Sequence, residues 1–157
     1  VNMNTKFFIL ALLLISTLFI SVLADNKQDG IAFLNKIAQE PGVIKHESGF
    51  YYKVNEAGTG KTHPTATSKV TVHYEGTLID GTVFDSSYQR GETISFGLNQ
   101  VIKCWTQGVQ LMTVGAEHIL YCPYELAYGA QSVSIIKPYS ALVFKVKLFK
   151  IDGKDEL

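Results

Sequence analysis

Residues 72–87 read V-H-Y-E-G-T-L-I-D-G-T-V-F-D-S-S, and no other stretch of the chain restricts its fold as much. Val70, Val72 and Tyr74 alternate with Thr71, His73 and Glu75, the pattern of a strand with one apolar and one wet face. Asp80-Gly81 predicts a tight hairpin turn, because glycine reaches positive φ without steric penalty. A second strand follows and ends by presenting Phe84 beside Asp85. Two strands cannot cover such an apolar face by themselves, so the rest of the chain has to supply the missing layer.

Further strands are predicted over residues 50–54, 93–96, 116–121 and 142–148. In the last of these, Leu142, Phe144, Val146 and Leu148 share one face. The helix signal within this region runs from about residue 101 to 112, with Trp105, Val109 and Met112 spaced to face a sheet and Gly115 placed to end it. Ahead of the strands, Ile31, Phe33, Leu34, Ile37 and Ala38 recur at helical spacing until Pro41-Gly42. The fold expected is α+β: a twisted antiparallel sheet of five to six strands wrapped around one short helix, preceded by a short N-terminal helix.

The two ends read differently from the middle. Lys6 precedes an apolar run from Phe7 that closes on Val22-Leu23-Ala24, the pattern of a signal peptide cleaved after Ala24, although its length approaches the roughly 18 residues that can span a bilayer. Lys154, Asp155, Glu156 and Leu157 spell a retrieval signal for the endoplasmic reticulum, so the expected location is its lumen and one expected partner is the retrieval receptor. The expected division is 1–24 signal peptide, 25–42 helical segment, 43–151 main domain and 152–157 exposed tail. Basic and acidic residues number 14 each, which gives no electrostatic reason to expect nucleic acid as a partner. Cys104 and Cys122 are compatible with a disulfide, but spacing alone leaves their pairing open.

With Val101, Ile102 and Trp105 downstream and the Ala127-Tyr128-Gly129 run later, residues 72–87 resemble the FKBP-type peptidyl-prolyl isomerases. The similarity is greatest to the macrophage infectivity potentiator branch and covers roughly residues 43–151. It implies that this segment is an isomerase domain with an apolar pocket between sheet and helix. Carried over position by position, the catalytic group is Tyr74, Phe84, Asp85, Trp105, Tyr128 and Phe144. Ile94, Val101, Ile102, Ile135 and Ile136 complete the substrate- and inhibitor-binding lining. The resemblance makes the Trp105 indole the floor on which a proline ring lies, with Tyr74, Phe84 and Phe144 as walls. The Ile102 N–H and the Tyr128 hydroxyl donate to carbonyls of the bound chain, and Asp85 organises the rim.

It further implies proline-containing polypeptide clients, macrolide inhibitors of the rapamycin type, a folding or chaperone role, and no cofactor or metal. His46, His63, His73 and His118 show no metal-ligand spacing. In the infectivity potentiator group a longer N-terminal helix supports dimers; sixteen residues favour a monomer, with a dimerising scaffold as the other reading. A proline-directed binding module without catalysis is the alternative function. Three departures stand out. Ile94 occupies a position where many relatives carry an aromatic, which predicts a thinner wall; Cys104 replaces the small residue usual just before the indole; and the 133–138 stretch is shorter than in some relatives and lacks their rim histidine.

Each residue also has a plain structural reading. A lone Trp or a strand Phe packs a core equally well, and Asp85 would serve as a turn cap. For an isomerase, an apolar aromatic pocket is chemically sufficient. The obstacle to X-Pro isomerisation is kinetic, a barrier of about 18 to 20 kcal/mol set by amide resonance. A dry cavity that suits the twisted amide better than the planar one lowers that barrier without a nucleophile.

Overall fold

The computed structural model describes residues 25–153. Seven strands form one antiparallel sheet: β1 (Val43–Lys45), β2 (Tyr51–Glu56), β3 (Lys69–Leu78), β4 (Val83–Ser86), β5 (Ile94–Gly97), β6 (Glu117–Cys122) and β7 (Leu142–Ile151). Their order is β1-β2-β6-β7-β3-β4, with β5 pairing beside β4 on the same edge of β3. The expected α+β class holds. The sheet gains a strand over expectation because Val43–Lys45 pairs in register with Tyr51–Lys53, too short a segment to show an alternation of its own.

Alternation sets the burial. Leu142, Phe144, Val146 and Leu148 on β7 and Val70, Val72 and Tyr74 on β3 point into one core, together with Phe50, Leu98, Met112 and Leu120. The turn at Asp80-Gly81 forms as expected: Gly81 has φ 88°, and the Asp80 carboxylate accepts the Thr82 N–H at 2.9 Å.

Three α-helices complete the described domain: α1 (residues 25–37), α2 (Ser87–Arg90) and α3 (Lys103–Val109). α1 lies on the outer face of the sheet, where Leu34 and Ile37 are buried with Tyr121 and Ala141. α3 covers the inner face. It is shorter than the 101–112 span expected, and it sits very close to β6. A Cβ at Gly108 would lie 2.7 Å from Leu120 Cδ1, so a side chain there would push the helix off the sheet. Cys104 on α3 and Cys122 on β6 are joined in a disulfide, with Cα atoms 5.8 Å apart and both residues fully buried.

α2 is a single helical turn where a loop was expected. Ser86 caps it by accepting the Gln89 N–H at 3.3 Å, and Gly91, in the left-handed region at φ 75°, ends it. That turn carries Arg90 back toward β3, which matters for the site.

Candidate active site

A cavity of about 440 Å³ opens between the sheet and the start of α3. Trp105 forms its floor. Only 4% of this residue is exposed, so it is both a core side chain and a cavity surface. Three rings fix the indole. Tyr74 and Phe144 meet it edge-on at 5.1 and 5.3 Å between centroids, and Phe96 lies 5.3 Å away at 55°. Edge-to-face pairs of this kind stabilise by about 0.5–1.5 kcal/mol each beyond their buried area, so the floor is rigid. Its Nε1 is buried without a hydrogen-bond partner among the described residues.

The polar rim is a cluster of three side chains. The Tyr74 hydroxyl donates to one oxygen of Asp85, Arg90 Nη1 donates to the other, and Arg90 Nη2 reaches the Tyr74 hydroxyl at 3.2 Å. Burial pushes the Asp85 carboxyl up. The hydrogen bonds from Tyr74 and Arg90 and the guanidinium charge outweigh that and hold it below the usual carboxylate range. Burial, then the bond to Asp85, pushes the Tyr74 phenol up. Tyr128 is likewise raised, by burial first and then by the charge of Asp85. Both phenols are therefore neutral at ordinary pH, each with a proton to donate.

Of the residues singled out from the sequence, Tyr74, Asp85, Ile94, Val101, Ile102, Trp105, Tyr128 and Phe144 line this cavity. Three others do not. Phe84 stands behind the wall, its ring edge-on to Phe144 at 5.6 Å. Val133 and Ile136 pair across a tight turn with Ser134 at φ 51°. This turn buries Ile136 in the core and leaves Ile135 48% exposed beside a separate, smaller pocket with Asn26, Leu78 and Ile79.

Arg90, Phe96 and Gln100 also belong to the site, although no sequence motif marked them. Phe96 and Gln100 line the cavity, and Phe96 fills the wall expected to be thin at Ile94. Its signal was present, since residues 94 and 96 share a face of one strand. Arg90 had only the cap residues Ser86 and Gly91 to announce the turn that returns it to the site.

An antiparallel sheet with an aromatic cavity against one short helix places the chain in a class of small α+β domains with an apolar pocket between the two layers. Within that class, the sequence pattern described as FKBP-type peptidyl-prolyl cis-trans isomerase matches residues 60–149, and the pattern for the domain amino-terminal to it matches residues 21–54. The chain belongs to the FKBP-type peptidyl-prolyl cis-trans isomerase family. It is 48% identical to the FKBP-type peptidyl-prolyl cis-trans isomerase FkpA of Aeromonas hydrophila over 128 residues, 82% of this chain and 47% of that protein. It is 44% identical to the outer membrane protein MIP of Legionella longbeachae, covering 81% of this chain and 54% of that one. The crystal structure of FkpA from Escherichia coli superposes with a TM-score of 0.81 at 43% identity, covering 87% of this chain and 63% of that chain. The chain thus spans about half the length of the curated relatives it matches.

These relatives correct the expected location. The FkpA and outer-membrane MIP proteins it matches are bacterial, from organisms without an endoplasmic reticulum. The lumenal assignment is overturned; these matches do not bear on the retrieval receptor expected from the last four residues. Residues 1–24 and 154–157, on which those expectations stood, lie outside the described residues. The amino-terminal match, residues 21–54, takes in α1, β1 and most of β2.

Proposed function

We propose that this protein is a peptidyl-prolyl cis-trans isomerase that accelerates rotation about X-Pro bonds in polypeptide clients, without covalent chemistry. The observation that carries this reading is the cavity floored by Trp105 and enclosed by Tyr74, Phe96 and Phe144, with the Asp85–Arg90 pair at its rim. A proline ring is apolar and flat enough to lie on an indole held this way. Water is largely excluded from such a surface, which removes the solvation that favours the planar amide. The phenol of Tyr128, pushed up by burial and then by Asp85, is a neutral donor on the cavity wall that would serve a client carbonyl. Each 1.36 kcal/mol of preference for the twisted amide over the planar one gives about tenfold in rate.

A macrolide of the rapamycin type would occupy the same cavity and compete with the client. We read residues 43–151 as the isomerase domain, residues 25–42 as a segment docked on its sheet, and residues 1–24 as an export signal. The monomer reading is supported by α1, whose Leu34 and Ile37 are spent on the chain's own sheet.

The test is a protease-coupled assay with a proline peptide, run with and without rapamycin. Acceleration that rapamycin abolishes, and that Trp105→Leu loses while remaining folded, supports the reading. A folded wild-type protein that leaves the uncatalysed rate unchanged overturns it. Trp105 is the only tryptophan in the chain, so quenching or enhancement of its fluorescence reports binding independently of turnover.

A further inference from the structure

On one edge of β3 the hydrogen-bond ladder has a gap. β5 pairs with β3 from Lys69 as far as Val72, and β4 resumes the pairing at Glu75. Between them, Tyr74 has no strand partner on that side. Its backbone N–H donates instead to the Ser87 hydroxyl at 2.8 Å, and its carbonyl lies 3.2 Å from the same oxygen. A third contact runs from Ser87 Oγ to His73 Nδ1 at 2.8 Å. Ser87 is fully buried. An isolated buried hydroxyl is unfavourable, yet this one carries three polar contacts and mends the ladder at the residue whose phenol enters the site.

The position of Ser87 in α2 gives this a consequence. Ser87 opens the turn and holds the backbone of Tyr74, while Arg90 closes the turn and holds the Tyr74 hydroxyl, which is also bonded to Asp85. The tyrosine is gripped at both ends by one helical turn. Ser86 and Gly91 cap that turn, so its length and direction are fixed.

We infer that Ser87 is a positioning residue for the active site: its hydroxyl ties the Tyr74 backbone to α2 and thereby sets the phenol against Asp85 and Arg90. This rests on the isomerase reading above. Ser87 touches no client; it acts through Tyr74.

The experiment compares wild type, Ser87→Ala, Tyr74→Phe and the double variant by kcat/KM on a proline peptide and by NMR of the tyrosine rings. Ser87→Ala should lose about tenfold in an otherwise native chain and less than twofold when Tyr74 is already Phe, since both changes disable one unit. Its Tyr74 ring resonances should shift while those of Tyr128 stay. If Ser87→Ala fails to fold, Ser87→Cys, with a weaker donor and acceptor of similar size, takes its place in the same comparison. Full activity in the folded Ser87 variant, an equal loss in the Tyr74→Phe background, or an unmoved Tyr74 ring overturns the inference. The ring measurement needs no turnover. An inactive wild type therefore sinks the isomerase reading alone, while the presence or absence of the ring shift still supports or overturns the role of Ser87.

Discussion

Asp85 accepts the hydroxyl proton of Tyr74 from across the β3–β4 hairpin, while its second oxygen takes a hydrogen bond from Arg90. Neither phenol nor carboxylate is fully buried, so the pair shapes the rim more than it stabilises the fold. Asp85→Asn keeps the shape and removes the charge. It should lower kcat/KM roughly tenfold, in line with the loss of one charge-assisted hydrogen bond. Thermal unfolding should move by no more than a few degrees, which a calorimetric scan alongside the peptide assay will show.

The same cluster predicts a flat pH profile. Asp85 is held below the usual carboxylate range, and the Tyr74 and Tyr128 phenols are pushed above their usual value. Because the folded Asp85 pKa is depressed, its contribution is present above the ordinary carboxylate range and is lost only as pH falls through the lowered pKa. Activity should therefore be constant from about pH 5 to 9. An acid limb centred near pH 6 in kcat/KM would contradict this.

The frame of the site was legible because it rests on simple periodicities. Alternation in β3 and β7 placed Tyr74 and Phe144 on the inner face, and helical spacing put Trp105 with Val109 against the sheet. What escaped depends on tertiary geometry. Four residues are too few for α2 to show a helical period, so Arg90 read as part of a loop. Ile135 and Ile136 both miss the cavity because the turn at the left-handed Ser134 buries one in the core and turns the other outward. The disulfide needed a Cα separation that no spacing supplies.

Gly76 should be intolerant of any side chain. A Cβ there would come 2.6 Å from Phe84 Cζ and 3.0 Å from Phe144 Cε1, so the ring behind the wall and the wall itself would both have to move. Gly76→Ala should destabilise by about 1–3 kcal/mol, the usual range for overpacking. It should also cut isomerase activity more than a comparably destabilising change remote from the cavity. Urea unfolding and the peptide assay on the same preparation separate the two effects.

His118 gives the fold its own acid sensitivity. It is buried on β6, stacked on Tyr52 at 5.9 Å, and its Nδ1 has no hydrogen-bond partner among the described residues. Burial, followed by the charge of His63, lowers its pKa from the ordinary 6.5. The unfolded chain then binds the proton more readily than the folded one, so stability is full above pH 6.5, falls as pH drops from there toward the lowered folded value, and levels off below it. The slope for one linked proton is at most about 1.4 kcal/mol per pH unit. Urea midpoints at pH 7.5 and 5.5 should diverge in the wild type and converge in His118→Leu; equal divergence in both would remove His118 as the cause.

The Cys104–Cys122 bond closes a loop with a sequence separation of 18, for which the loss of unfolded-state entropy predicts about 3 kcal/mol of stability. Both cysteines are fully buried, so a mild reductant should leave the native protein intact and act only once it opens. The bond also adjoins Trp105, but the indole is held independently by Tyr74, Phe96 and Phe144. Replacing both cysteines by Ala should therefore lower the urea midpoint strongly while reducing kcat/KM at 25 °C by less than about threefold. A large loss of activity in a folded double variant would mean that the disulfide, and not the ring cage, sets the height of the pocket floor.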